Sequence, residues 1–276
     1  MQSAILQLNV TDDPVANLAV TQEMFRKAVA DGAQFILTPE VTNCISTSRK
    51  HQQEVLQFEA DDITLAALRA EAKAAGVWLL IGSLGLKTDD ADQRFANRSF
   101  MIGPDGEIVA KYDKIHMFDV QISETETWRE SEGYRPGDRA VLARTDFAKI
   151  GMSICYDVRF SHLYRALAKA GAQILTVPAA FSPVTGAAHW HALLRARAIE
   201  SGCFVIAPAQ AGTHASAAHK TRDTYGHSLV VDPWGEVILD AGTASGVYKF
   251  DLDMEKGETA RCRVPSLANA RNFSGP

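Results

Sequence analysis

The chain has few cysteines and pairs none of them at short range. Cys44, Cys155, Cys203 and Cys262 stand far apart with no CxxC motif. This argues against a zinc site of the finger type and against a dense disulfide framework, and fits free thiols in a reducing compartment. A basic patch or tail is also missing. Charge of both signs is spread along the sequence to a net of −5, so nucleic acid is not an expected partner. No apolar run approaches the ~20 residues of a membrane span. The first residues, MQSAILQLNV, have neither the basic start nor the apolar length of a signal peptide. A soluble cytoplasmic protein without a membrane partner is the expectation. Repeats, low-complexity tracts and a Pro/Gly/Ser-rich linker are absent too, so residues 1–276 are read as a single domain. What is there is a hydrophobic content of 46%, enough to bury a large core.

Short β-rich runs alternate with amphipathic stretches. SAILQL, QFILTPE and VWLLIGSL read as strands. Residues 14–33 read as a helix with Pro14 at its start and Gly32 near its end, and DDITLAALRAEAKAAG as a second helix with an acidic first turn. RSFMIGPDGEIVAKYDK and YGHSLVVDPWGEVILDAG each hold two runs around a Pro- and Gly-containing turn, which predicts two hairpins. KIGMSI is a strand; SHLYRALAKAGAQILTVPA and HWHALLRARAIESGCFVIAPA are each a helix followed by a strand, and GVYKFDLD a last strand. The tail VPSLANARNFSGP has no strong period. The alternation predicts an α/β protein, a mixed sheet with helices outside.

Three of these runs end in a reactive side chain: FILTPE in Glu40, IVAKYDK in Lys114 and IGMSIC in Cys155. The C-terminal ends of strands are where sites assemble in α/β sheets. A thiol of ordinary pKa ~8.5 needs a base or a nearby cation to act as a nucleophile. Glu40 could take its proton if burial raised the carboxylate pKa. Lys114 could stabilise the thiolate and then an oxyanion, with the Tyr156 N–H as a second donor. Each residue also has a plainer reading. Cys155 could be an inert core cysteine, Glu40 a surface loop carboxylate and Lys114 one more solvated lysine. Histidines offer a rival: His116, His189, His191 and His227 could supply a base for a Cys–His pair. A metal site is not expected, since His189 and His191 at i, i+2 would part across a helix.

LTPE with Glu40, YDKIHMFD with Lys114 and GMSICYDVRF with Cys155 resemble the three signature blocks of the nitrilase, or carbon–nitrogen hydrolase, superfamily, in the same order and separation. The likeness covers nearly the whole chain. Flanking blocks such as HWHALLRARAIE, AQAG and YGHSLVVDPWGEV resemble the Nit branch. The resemblance implies a four-layer αββα sandwich, a helix beginning near Ser161, and pairing into a homodimer or higher homo-oligomer. It implies Cys155 as nucleophile, Glu40 as general base, Lys114 as oxyanion stabiliser and Glu130 as a second glutamate that positions the lysine and substrate. No metal or organic cofactor is needed.

The chemistry so implied is cysteine-dependent hydrolysis of the amide of a small carboxylate-bearing substrate through a thioester, releasing ammonia. Deaminated glutathione is the leading substrate. ω-Amides such as α-ketoglutaramate, N-carbamoyl amino acids and nitriles are the alternatives, and a scaffold of the same fold is the non-enzymatic one. Arg159, Phe181, Thr185 and His189, with the Tyr156 ring, are expected around the substrate, and Arg195 and Arg197 are further candidates for its carboxylate. Three departures stand out: Ser161-His162 in place of Pro-Glu, a long polar segment THASAAHKTRD before Tyr225, and a tail without the family's arginine-rich ending.

Overall fold

The computed structural model describes residues 1–122, 124, 126–216 and 220–275. The first part of the chain runs β1 (Gln2–Gln7), α1 (Pro14–Ala30), β2 (Phe35–Leu37), α2 (Arg49–Val55), α3 (Ile63–Ala75), β3 (Trp78–Leu86), β4 (Ala96–Ile102) and β5 (Ile108–Asp113). A small hairpin follows, β6 (Asp119–Gln121) with β7 (Thr127–Arg129). Next come β8 (Val141–Arg144), β9 (Lys149–Met152), α4 (Ser161–Lys169), β10 (Ile174–Thr176), α5 (Pro183–Ser201) and β11 (Phe204–Ala207). The chain then forms β12 (Ala211–His214), β13 (Arg222–Tyr225), β14 (Leu229–Val231), β15 (Val237–Asp240), β16 (Gly246–Asp251) and α6 (Glu255–Arg263).

Local chemistry accounts for the helix ends. The Asp13 carboxylate accepts from the Val15 and Ala16 N–H groups, and Pro14 starts α1 where no N–H is needed. Asp62 is the N-cap of α3 rather than part of an acidic first turn, and Gly76 closes that helix in the left-handed region at φ 65°. α4 begins at Ser161 despite the departure there. The His162 ring lies edge-on to His116 and Phe160. The short α2, the antiparallel pairs β6–β7 and β12–β13, β8 and α6 are not legible as periodic runs; α6 buries only Ala260, so it has no apolar stripe to read.

The strands form two six-stranded sheets, in the orders β16-β1-β2-β3-β4-β5 and β15-β14-β11-β10-β9-β8. In each, three central strands run parallel and the flanking strands antiparallel. The strand pattern suggested one mixed sheet; the chain builds two. Period-2 alternation explains how they pack. Ile5, Phe35, Leu37, Leu80 and Met101 turn into one buried cluster with Ile150, Met152, Ile174 and Phe204 of the second sheet. Their neighbours Ala4, Leu6, Ile36, Leu79 and Ile81 turn the other way, onto Phe25 and Ala28 of α1 and Leu65, Leu68 and Ala72 of α3. Leu163 and Leu167 of α4, with Trp190 and Leu194 of α5, cover the second sheet. This is the αββα sandwich. Among the described residues, no helix is long and apolar enough to cross a membrane.

Candidate active site

Four chain segments meet where the two sheets end side by side: the stretches after β2, β5, β9 and β10. Backbone strain marks two of them. Val41, next to Glu40, sits at φ 48°, and so does Cys155. Left-handed backbone is rare for residues other than glycine and is rarer still for a β-branched valine. Both positions are held by hydrogen bonds. The Val41 N–H donates to Ser83 Oγ at 2.8 Å, and the Cys155 N–H donates to the Pro178 carbonyl at 2.9 Å. Gly82 lets these segments close. A Cβ there would run into the Thr38 and Pro39 carbonyl oxygens and the Pro178 ring.

Asp157 ties the cysteine turn to the lysine strand. It is fully buried and accepts from the Tyr112 hydroxyl at 2.7 Å, the Ile154 N–H at 2.9 Å and the His116 N–H at 3.0 Å. His116 Nδ1 also lies 2.7 Å from it. Tyr112 and His116 flank Lys114, so one carboxylate sets the height of β5 against the turn. Cys155–Arg159 is a single 3-10 turn, and its first N–H groups, Tyr156 among them, have no partner within that turn.

Within this frame Lys114 is buried between two carboxylates. Its Nζ donates to Glu40 Oε1 at 2.9 Å and to both oxygens of Glu130 at 2.8 and 2.9 Å. Glu130 also accepts from the Phe118 N–H at 2.7 Å. Glu40 has two further donors, Asn97 Nδ2 at 2.9 Å and the Ala180 N–H at 2.7 Å. Neither Asn97 nor Ala180 was legible as a site residue. The charged groups that act most on the Cys155 thiol are Glu40, Lys114 and Glu130.

The electrostatics correct two expectations. Burial acts to raise Glu40, but the Lys114 ammonium and its hydrogen bond, with Arg222 adding to them, outweigh it and hold the carboxylate below its usual range. Burial would lower Lys114, yet Glu130, Glu40 and Cys155 hold it well above the ordinary lysine value. Burial first, then Glu40, pushes the Cys155 thiol well up, against the pull of Lys114. At rest the site therefore holds an ionised Glu40, an ammonium and a neutral thiol. Glu40 is not a carboxyl raised by burial, and Lys114 does not maintain a standing thiolate.

Above this cluster lies a cavity of about 340 Å³, within the range of small-molecule sites. Glu40, Lys114, Glu130 and Cys155 line it, as do Tyr156, Phe181 and Thr185. Arg159 and His189 are not among its lining residues. Arg159 instead lies beside the Tyr156 and Phe181 rings, 3.3 Å from His189 Nδ1. Arg195 donates to the Gly235 carbonyl, and the buried Arg197 donates to the Val158 carbonyl and Glu200. The arginines that do line the cavity are Arg49, Arg129 and Arg222. Arg222 belongs to the long polar segment noted as a departure, of which residues 217–219 lie outside the described residues. It donates to the Ala180 carbonyl at 2.7 Å and lies 5.0 Å from the centre of the Trp128 ring.

A family model described as carbon-nitrogen hydrolase matches residues 3–261. The deaminated glutathione amidase of Yersinia enterocolitica is 37% identical over 272 residues, 98% of this chain and 93% of that protein. The human protein of the same name is 36% identical over 274 residues, 97% of this chain and 81% of its own length. Among solved structures, the NitFhit protein of C. elegans superposes with a TM-score of 0.90 at 33% identity; the match takes in 98% of this chain but only 65% of that longer one. Saccharomyces cerevisiae Nit3, a member of branch 10 of the nitrilase superfamily, gives 0.84 at 28% identity over 96% of this chain and 94% of that one. The chain belongs to the carbon–nitrogen hydrolase family.

Proposed function

We propose that this carbon–nitrogen hydrolase is an amidase that works through a thioester on Cys155. The observation that carries the reading is the buried Glu40–Lys114–Glu130 cluster beside the Cys155 thiol on a cavity wall. Because the thiol is neutral at rest, its proton passes to Glu40 as sulfur attacks the amide carbon. The negative charge then appears on the carbonyl oxygen, where Lys114 and the Tyr156 N–H receive it. Collapse breaks the C–N bond, and the proton held by Glu40 leaves with the nitrogen. Water attacks the thioester, Glu40 takes its proton, and as the C–S bond breaks Glu40 gives that proton to the leaving sulfur, which restores the thiol and the carboxylate. Glu130 holds Lys114 in place with both oxygens.

Deaminated glutathione is the substrate we favour. It is an anion with a carboxylate at each end, and Arg49, Arg129 and Arg222 around one cavity suit such a ligand. Thr185 Oγ1 is buried there without a hydrogen-bond partner among the described residues and offers a further polar contact. The amide of this substrate joins an acyl group to an amine, so the first product is an amine; an ω-amide such as α-ketoglutaramate, an N-carbamoyl amino acid or a nitrile would instead release ammonia. The enzyme would act without a cofactor, as one domain over residues 1–276, in the cytoplasm and as a homodimer or higher homo-oligomer. Pairing of β1 with β16, from Gln2 to Asp251, supports the single domain.

The test compares deaminated glutathione, α-ketoglutaramate, N-carbamoyl amino acids and simple nitriles, following amine or ammonia as each requires. Deaminated glutathione should give the highest kcat/KM. Cys155→Ala should lower kcat by a factor on the order of 10⁴ or more with an unchanged circular dichroism spectrum. A preference for nitriles, or turnover that survives Cys155→Ala, would overturn the reading.

A further inference from the structure

A second cluster of reactive side chains lies outside the cavity. His191 comes from α5, His227 from the link between β13 and β14, and Asp240 from the end of β15. None of the three lines the catalytic cavity. We propose that they form a binding site for a divalent transition-metal ion of the zinc type.

The donor atoms converge. His191 Nε2 lies 3.0 Å from Asp240 Oδ2, and His227 Nδ1 lies 2.9 Å from Asp240 Oδ1. One ligand atom from each residue falls within 4.8 Å of the others. Bonds of about 2.0–2.2 Å in a tetrahedron hold ligand atoms roughly 3.3 Å apart, so little movement is needed to admit an ion. Two imidazoles and one carboxylate select Zn²⁺, Co²⁺ or Ni²⁺ over Ca²⁺ or Mg²⁺, which take oxygen ligands. Asp240 is paired with the two histidines and with no lysine or arginine among the described residues. The side chains are about one-quarter to one-third exposed, which leaves room for water as a fourth ligand.

The ligands are also held in advance. His227 keeps a left-handed φ of 53°. Its N–H donates to the Gly242 carbonyl at 2.6 Å and its carbonyl accepts from the buried Trp190 Nε1 at 2.8 Å. The Tyr225 ring stacks on the His227 ring at 4.5 Å, and the Gly242 N–H donates to Asp240 Oδ1 at 2.9 Å. A histidine forced into a glycine-like conformation and pinned on both sides is strained backbone of the kind found at ligand sites. His189 takes no part, since i, i+2 spacing turns it toward Arg159.

The ion would clamp the cavity wall from outside. α5 carries Thr185 in its first turn, and β13 carries Arg222, with its Tyr225 N–H bound to the Phe181 carbonyl at 2.9 Å. A metal joining His191 to His227 would tie these two elements together, and its effect should fall on stability more than on the chemical step.

The test uses the full chain bearing Cys155→Ala, which removes the cavity thiol as a rival ligand, after treatment with chelator. Titration with ZnCl₂ in a calorimeter should show one ion per chain and a rise in melting temperature. CoCl₂ should produce a visible absorption band typical of nitrogen- and oxygen-bound Co²⁺. His191→Ala and Asp240→Asn should each weaken Zn²⁺ binding about 10-fold or more and remove the thermal shift. His191 is partly exposed on a helix, so its replacement by alanine should fold. If a variant nevertheless unfolds, the Co²⁺ band of the parent decides by itself. No saturable binding, no such band, or an affinity in both variants equal to that of the parent would overturn the site; the last result would mean an adventitious ion only.

Discussion

Two charge clusters sit back to back on β4 and β5, and they differ in almost everything but composition. Lys111 and Asp113 face outward. Lys111 pairs with Glu59, while Asp113 takes two hydrogen bonds from Arg98 at 2.5 and 2.8 Å. Arg98 also reaches Glu59 at 2.6 Å. Tyr112 and Lys114, the alternate residues, face inward to Asp157 and Glu40. The same split divides Arg98 from Asn97, whose amide reaches Glu40. Both clusters mix cations with carboxylates. The outer side chains are about one-fifth to one-half exposed, so water and salt screen them. Lys114 and Glu40 are shut off from solvent, and each charge there exists only because its partners do. A buried charge is costly to keep, and in this chain the buried set is the one that faces a thiol.

Removal of the inner cation is the sharpest way to probe that contrast. Lys114→Ala leaves Glu40 and Glu130 without their shared partner, at a cost of about 3–5 kcal/mol in denaturant unfolding, and turnover should be lost as well. Next in size is Glu40→Gln. Three donors meet the two Glu40 oxygens, whereas glutamine has one acceptor, so about 1–3 kcal/mol should go. The pH profile adds a sign. The folded-state pKa of Glu40 is depressed, so its stabilisation is present above the unfolded value of ~4.3 and fades as pH falls through the folded one. Lys114 has the opposite shift. Its stabilisation is present below ~10.4 and fades as pH rises through its raised value. Glu40→Gln should flatten the acid limb of a stability–pH curve. The smallest effect belongs to the outer cluster. Arg98→Ala should cost about 1 kcal/mol, shrink further in added salt and leave kcat unchanged. An Arg98→Ala cost matching that of Lys114→Ala would break the comparison.

The pattern that made Glu40, Lys114 and Cys155 legible was an apolar run ending in a reactive residue. It identified candidates and the strands that carry them, but one such ending looks like another. Lys111 and Lys114 both stand in the polar stretch KYDK, and only pairing with β4 tells which faces in. Asn97 and Asp157 stayed hidden because a single polar residue in a strand or turn carries no signal until its partners arrive from 57 and 41 positions away. Glu130 was readable only through resemblance, since its short hairpin has no apolar period. The arginines around the cavity went unrecognised for the same reason. Arg159 and Arg197 looked equally suitable, yet they are drawn off to ring faces and a carbonyl.

The sequence alone determined the alternation of strands and helices, the hairpin turns and the reactive residues at three strand ends, because these follow from local periodicity and turn chemistry. Tertiary structure decided that the strands divide into two sheets rather than one. It also decided that Glu40 is ionised and the thiol neutral, and which arginines meet the cavity. Each of these depends on desolvation and on charges brought together from distant parts of the chain, and no local stretch of residues carries that information.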